Sequence, residues 1–380
     1  MIKAGKVEKD MNMFPEKMLH RHERTEMMLR ALYEVHGYKK FKMNRFEEYD
    51  LYRENRSFLV GSNIITFSGL DGRLMALKPD VTLSIVKNVK ENDEDLKLYY
   101  SENVYRAEKG AYEFREIVQV GTEHIGTLDL YSMCEMLCLA EKSLELISGE
   151  YILDISHLGI IGGLLDECML SEKNYALVSG YIAEKNVHDL KKCLEEIGTC
   201  EELTKILTEI TGLSGTFDYV LPRLENLLGG RFKECQKELC DIYSLLCDMG
   251  YSKNIRLDFS MLSDMSYYNG IVFKGFVPGV PKSILSGGRY DRLLEKFGKK
   301  QQAAGFAVYL NLLDEYKPFE AEYDFDNLII YGNSKDLKKV YALSEELIKK
   351  GETVRVQREN TGGLRVRNII NLCGGGNENE

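Results

Sequence analysis

The chain predicts an α+β fold: an antiparallel sheet flanked by helices, interrupted by a helical insertion and followed by a small C-terminal β-α-β unit. Three observations carry that expectation. Short extended segments lie before and after a long helical stretch, about 159–249, instead of alternating with helices, which disfavours a doubly wound sheet. Segments 96–106 and 114–125 read as two strands joined by a polar loop centred on Lys109-Gly110. At 380 residues the chain is long enough for one large core and one small unit.

Taken in order, residues 14–36 place apolar side chains at helical spacing, and Gly37 is a natural stop. Extended candidates follow at 40–43, 50–52, 64–67 and 74–77, with Gly69-Leu70-Asp71-Gly72 as a hairpin turn between the last two. Pro79-Asp80-Val81-Thr82 reads as a helix start. Residues 129–148 form a strong amphipathic helix pattern, and 151–155 another strand. The helical stretch breaks near Gly198, at 212–215 and at Gly229-Gly230. Strands return at 255–259, 270–276 and 283–286, and an apolar run at 303–313 closes this part. Beyond Pro318, a strand at 328–331, a helix at 337–350 and a strand at 353–356 make the β-α-β unit. The expected domains are therefore 1–318, 319–372 and a disordered tail at 373–380 that lacks apolar side chains.

Composition narrows the function classes. With 44% hydrophobic and 29% charged residues, this is an ordinary soluble globular composition, and only six prolines argue against long disordered linkers. A net charge of −10 disfavours a general nucleic-acid binder, so no handling of tRNA is expected. The first residues lack an apolar signal segment, and no run reaches the ~18–20 apolar residues that cross a bilayer. Nine cysteines without such a segment indicate reduced thiols in the cytoplasm. Cys134 and Cys138 lie four apart in a helical pattern without CxxC or HxxxH, and read as buried small hydrophobes. No metal and no cofactor are expected.

The chemistry-bearing residues gather in segments that belong to one sheet. Asp80 and Thr82 set a carboxylate and a hydroxyl at a helix start. Tyr105 and Arg106 point to opposite faces of a strand, whereas Gln119, Gly121 and Glu123 share a face. Tyr267-Tyr268-Asn269 and Ser286-Gly287-Gly288-Arg289-Tyr290-Asp291 complete the set; the paired glycines suggest a backbone close to a ligand. An α-amino acid needs an anion for its ammonium and donors for its carboxylate, and an imidazole needs partners at both nitrogens. Asp80 suits the ammonium, Gln119 the carboxyl end and Glu123 a ring N–H, with tyrosines as walls.

In that order, LKPDVT, YRAEKGAYEFREIVQVGTE, MSYYNGIVF and SGGRYD resemble the catalytic core of histidyl-tRNA synthetase-like proteins over about residues 10–318. The resemblance implies a class II aminoacyl-tRNA synthetase-like sheet and a histidine pocket that includes Asp80, Thr82, Arg106, Gln119, Glu123, Tyr267 and Tyr268. Two departures bear on activity. Ser263 stands where the synthetases carry an arginine that helps activate histidine, and Leu312 replaces the arginine that meets ATP. Asn44-Arg45 stands in place of the first motif's Thr-Pro, and the loop after Arg106 is a residue shorter. Adenylation rests on stabilising developing negative charge, and losing one such group commonly costs about a hundredfold or more. Losing both leaves a pocket without a reaction, so no catalytic residue is expected.

That combination resembles the regulatory subunits of ATP phosphoribosyltransferase, the first enzyme of histidine biosynthesis. In that family the synthetase-like subunit joins a short-form catalytic subunit in hetero-octamers built on synthetase-like dimers, supports its activity and takes part in feedback inhibition by L-histidine. The alternative is a degenerate or active histidyl-tRNA synthetase. Only about 60 residues follow Pro318, short of an anticodon-binding domain; Arg355, Arg358, Arg365 and Arg367 there read as a solvated face in preference to a partner contact.

Plainer roles stand beside these. Asp80 can simply cap its helix. Arg106 faces either a ligand or a salt bridge with Glu108 or Glu116, and Arg289 and Asp291 pair with each other or with neighbours. If extended, Tyr267 and Tyr268 point to opposite faces, so at most one lines a pocket. His124 reads as structural and Lys109 as a solvated charge.

Overall fold

The computed structural model describes residues 21–56, 59, 64–90, 95–107, 113–262, 267–316, 322–332 and 337–373. The chain divides into two compact units, Thr25–Lys317 and a second that contains Pro318–Glu380.

Helix α1 (Arg21–Val35) stops before Gly37, whose φ of +84° favours glycine. Strands β1 (Lys39–Lys40) and β2 (Phe46–Glu48) follow, then helix α2 (Tyr49–Glu54). That helix corrects the extended segment expected at 50–52. A short apolar run does not distinguish strand from helix, and here one helical turn carries Tyr52 into full burial. Strands β3 (Thr66–Ser68) and β4 (Leu74–Leu77) make the expected hairpin, and β2 pairs on the other side of β4. Helix α3 (Thr82–Asn88) begins where Pro79-Asp80 predicts.

Strands β5 (Leu96–Ala107) and β6 (Phe114–Gly126) pair antiparallel from Leu96↔Ile125 to Ala107↔Phe114; Glu108, Lys109 and Gly110 lie outside the described residues. Helix α4 (Leu130–Ile147) is capped by Asp129, whose carboxylate accepts from the Ser132 N–H at 2.8 Å, and leads to β7 (Ile152–His157). The insertion comprises α5 (Leu158–Glu167), α6 (Glu172–Ala183), α7 (Val187–Ile197), α8 (Glu201–Gly212), the short β8 (Ser214–Gly215), α9 (Phe217–Leu228) and α10 (Lys233–Asp248). Breaks fall at the glycines that predict them, near Gly198, at 212–215 and at Gly229-Gly230, and two more fall without a glycine at 168–171 and 184–186. Strands β9 (Ile255–Asp258), β10 (Ile271–Phe276) and β11 (Leu285–Arg289), helix α11 (Asp291–Lys296), strand β12 (Gln302–Tyr309) and helix α12 (Asn311–Tyr316) finish the unit.

The main sheet runs β1-β5-β6-β12-β11-β10-β7-β9-β8. Its centre, from β5 to β7, is antiparallel as expected, while β1 and β9 join the margins in parallel. One face packs on α4: the Thr122 hydroxyl reaches Met136 Sδ at 3.4 Å, and a Cβ on Gly275 would lie 2.7 Å from Leu144 Cδ1. The Phe273 and Phe306 rings meet edge to face on that side, 6.1 Å apart. Strand alternation therefore turns Gln119, Gly121 and Glu123 to the opposite face.

In the second unit, β13 (Phe325–Ile330) is the centre of a parallel sheet with β14 (Val354–Gln357) and β15 (Val366–Asn371), crossed by α13 (Leu337–Lys349). Strand β15 goes beyond the expected β-α-β, because Val366-Arg-Asn-Ile-Ile-Asn371 does not alternate in polarity. Arg355, Arg358, Arg365 and Arg367 are exposed. Three of them are nonetheless held within the unit: Arg365 by Asp324 at 3.3 Å, Arg367 by Asp326 at 3.6 Å, and Arg355 over the Phe325 ring. The tail after Cys373 lies outside the described residues, among which no helix is long and apolar enough to cross a membrane.

Candidate ligand-binding site

On the face away from α4, small residues from three adjacent strands fall into register. Gly121, Ala307 and Ser286 form one row, and Glu123, Gly305 and Gly288 the next. Side chains from outside the rows fold over this hollow floor. A Cβ on Gly121 would stand 2.6 Å from Tyr100 Oη, and one on Gly288 would stand 2.9 Å from Tyr268 Cδ1. Protein side chains stand beside the paired glycines of the SGGRYD motif, Tyr268 over Gly288 and Phe306 against Gly287.

Glu123 is the focus. It is 2% exposed, and its carboxylate accepts from Thr82 Oγ1 at 2.7 Å and from Tyr290 Oη at 2.5 Å. Burial pushes its carboxyl up to about 8; the two hydroxyls work against that shift and the nearby Asp80 charge adds to it. Such a group is mostly protonated near neutrality and ionises readily when a donor reaches its open lone pairs.

Asp80 does two things. Its carboxylate accepts from the Leu83 N–H at 2.9 Å, capping α3, and stands 3.7 Å from the Arg106 guanidinium. Burial raises its pKa, opposed by Arg106. Arg106 also donates from Nε to the Pro79 carbonyl at 2.7 Å, so its ion pair is with Asp80 and not with Glu116, which takes Tyr105 and Asn103; Glu108 lies outside the described residues. We expect Asp80→Ala to cost about 1–2 kcal/mol in urea unfolding through the lost cap. Asp80→Asn, which keeps an acceptor oxygen, should cost less and lower the Glu123 pKa, read by NMR titration.

The tyrosines depart from expectation. Tyr267 and Tyr268 are not in a strand, and both are half-buried with their rings edge to face at 4.6 Å. Tyr267 also lies 5.5 Å from the Tyr290 ring. A turn puts both on the site side, where extended backbone would have separated them. Gln119 is 3% exposed on the same face and pairs in register with Tyr309. Thus Asp80, Thr82, Arg106, Glu123, Tyr267 and Tyr268 come together, with Gln119 on the adjoining row.

Two site-lining groups, Tyr290 and Tyr100, are absent from the histidine pocket that the resemblance implies, although Tyr290 belongs to a segment named in the sequence. Tyr290 falls two residues beyond Gly288 and so on its face, a signal present in the motif. Tyr100 lies opposite Gly121, a pairing visible only once β5 and β6 are in register. Outside the site, Arg289 and Asp291 do pair at 2.8 Å, and Asn269 Nδ2 joins that carboxylate at 3.3 Å. His124 faces the other way, 2.5 Å from Asp95. Cys134 and Cys138 are buried, and burial pushes their thiols up to about 12 and about 11. The described residues contain no cluster suited to a metal ion.

Of the two departures, Ser263 lies outside the described residues. Leu312 is 8% exposed and belongs to the apolar core, at a position with no cation to offer a phosphate.

This fold and site define a class II synthetase-like core holding a buried cluster of carboxylates, hydroxyls and aromatic rings. Residues 12–313 match the family described as histidyl-tRNA synthetase. An ATP phosphoribosyltransferase regulatory subunit from Caldanaerobacter subterraneus subsp. tengcongensis is 33% identical over 292 residues, 74% of this chain and 75% of that protein. The chain belongs to the histidyl-tRNA synthetase family, in its branch of ATP phosphoribosyltransferase regulatory subunits. The fold agrees with a solved ATP phosphoribosyltransferase regulatory subunit/histidyl-tRNA synthetase from Bacillus halodurans C, with TM-score 0.77, 23% identity and coverage of 93% and 94% of the two chains. It also agrees with a chain of an ATP phosphoribosyl transferase complex from Thermotoga maritima, with TM-score 0.60, 16% identity and coverage of 75% and 96%.

Proposed function

We propose that this regulatory-branch chain binds L-histidine over Glu123 and, in complex with a short-form ATP phosphoribosyltransferase catalytic subunit, both supports that enzyme and conveys feedback inhibition. The observation that carries the reading is the buried Glu123 carboxyl, flanked by the Thr82 and Tyr290 hydroxyls, in a pocket whose neighbouring segment has Leu312 where catalysis needs a cation. An imidazole N–H meets Glu123, the tyrosine rings wall the heterocycle, Asp80 takes the ammonium, and Gln119 addresses the carboxylate end. Histidine then inhibits by favouring one state of the assembly, since equal affinity for both states shifts nothing. The assembly we expect is a hetero-octamer on synthetase-like dimers, in the cytoplasm and without tRNA. The test mixes the purified chain with a short-form catalytic subunit and assays phosphoribosyl transfer with and without histidine. Activity that requires the chain and falls on adding histidine is expected; a catalytic subunit indifferent to the chain would refute the assignment.

A further inference from the structure

Away from the candidate site, on the α4 side of the sheet, three reactive side chains meet where helix α10 begins. His157, at the end of β7, is buried, and its Nε2 lies 3.0 Å from the Glu238 carboxylate. The Gly159 N–H donates to His157 Nδ1 at 3.1 Å, which leaves the proton of the neutral ring on Nε2, facing that carboxylate. The bond to His157 holds the Glu238 carboxyl below its usual range. Cys235 is half-buried and lies one turn before Glu238 on α10. A Cβ on Gly159 would stand 3.0 Å from Cys235 Sγ and 3.1 Å from His157 Nδ1, so the thiol and the ring nitrogen crowd the same point. Burial disfavours a charged His157 ring, but bonds to the Cys235 thiol and to Glu238 raise its pKa to about 9.

A thiol beside an imidazole whose other nitrogen is held by a carboxylate is an arrangement that activates a sulfur nucleophile. His157 Nδ1 can receive the thiol proton, and Glu238 then steadies the imidazolium. The first turn of α10 stabilises negative charge developing on the sulfur, because its cap, Phe232, places no side chain on the open N–H groups. The surroundings select the reagent. A cavity of about 240 Å³ opens beside Glu238, lined on α10 also by Glu234, Lys237 and Asp241, and elsewhere by Asp129 and Arg289. The Arg289 charge is answered by Asp291, so carboxylates outnumber cations here and an approaching cation is favoured.

We propose that Cys235, His157 and Glu238 form a reactive-thiol site that exchanges with small cationic disulfides. The Cys235 sulfur attacks one sulfur of the disulfide; a new S–S bond forms, the old one breaks, and its electron pair leaves on the departing thiolate. The proton that His157 took from Cys235 passes to that thiolate, so one thiol and one disulfide give one thiol and one mixed disulfide. The experiment exposes the full chain to limiting cystamine for set times, quenches with acid, and quantifies each cysteine by peptide mass spectrometry. Half-buried Cys235 is expected to react about 10-fold or more faster than the exposed Cys200 and Cys240, the reverse of the order that exposure alone gives. Dithiodipropionate, similar in size and opposite in charge, should react at Cys235 about fivefold more slowly than cystamine at low salt, each rate being divided by that reagent's rate with 2-mercaptoethanol. His157→Asn, which keeps an acceptor for the Gly159 N–H, should slow Cys235 by about 10-fold or more relative to Cys240 in the same chain. Labelling of the buried Cys134 and Cys138 would show that this variant has lost its fold. Glu238→Gln, at a half-buried position, then decides through a loss of about threefold or more in the same ratio. Cys235 reacting no faster than Cys240, or a ratio unchanged in the folded variant, would overturn the proposal. So would an anionic reagent as fast as the cationic one.

Discussion

Glu123→Gln should lower L-histidine affinity by about 10- to 100-fold and abolish most of its pH dependence, measured by calorimetry between pH 5 and pH 9.5. Glutamine retains an oxygen for the Thr82 and Tyr290 hydroxyls, so the change removes the charge while sparing the shape. In the unaltered pocket the Glu123 carboxyl titrates at about 8, and a free imidazole near 6.5. Between those values one proton resides on Glu123 and the ligand arrives neutral, so an imidazolium–carboxylate pair forms by internal transfer. Below about 6.5 both partners are protonated and binding must release a proton; above about 8 both are deprotonated and binding must take one up. Affinity is therefore greatest between roughly pH 6.5 and 8 and falls on either side. A profile that stays flat in the unaltered chain would show that Glu123 does not meet the ring.

The same carboxyl acts on folding. Its folded-state pKa of about 8 stands above the ordinary 4.5, so its stabilising contribution is complete below about pH 4.5 and is lost as pH rises toward about 8. The loss amounts to a few kcal/mol at about 1.4 kcal/mol per unit. Glu141, buried in α4 with its carboxyl pushed up to about 7, contributes a slope of the same sign. The comparison is therefore between variant and parent, and Glu123→Gln should unfold at higher denaturant than the parent at pH 9 but not at pH 4.5.

Gly305→Ala should be the more damaging change. The new Cβ would stand 1.8 Å from Glu123 Oε2 and 2.5 Å from the Thr122 carbonyl, and the second of these is sheet backbone with little freedom. Overpacking of this kind costs about 1–3 kcal/mol or more. Expelling the Glu123 carboxylate also breaks its bonds to Thr82 and Tyr290, so histidine affinity should fall at least as far as in Glu123→Gln. Because the two residues touch, their effects should not add: Glu123→Ala in the Gly305→Ala background should recover part of the lost melting temperature. Gly149→Ala, where a Cβ meets nothing within 4 Å, is the control and should leave both quantities unchanged. A Gly305→Ala chain with parental stability and affinity would mean that Glu123 does not occupy this floor.

The legible and illegible parts of this protein divide along a physical line. Alternation along a single strand is a local property, so it correctly assigned Gln119, Gly121 and Glu123 to one face; the helix end at Gly37 followed from cap chemistry, and the helix from Leu130 from its amphipathic pattern. Short elements were less legible. Strand β2 has only three residues and α2 only six, and at that length periodicity does not discriminate, so burial of Tyr52 decides. The alternation that would separate Tyr267 from Tyr268 does not apply, because neither lies in a strand.

Motif order and the replacement of arginines by Ser263 and Leu312 are properties of the linear chain, and they suffice to assign the family and to withdraw the expectation of catalysis. Tertiary structure alone decided which side chains stand over the glycines and added Tyr100 to the groups named in the sequence. Gly305 belongs to Glu123, Gly121 to Tyr100 and Gly288 to Tyr268, across sequence separations no local pattern spans. Those partners are set by the register of β5, β6, β12, β11 and β10, which depends on hydrogen bonding between strands distant in the chain. The cluster around Glu123 is thus a product of strand pairing, which no local pattern in the sequence displays.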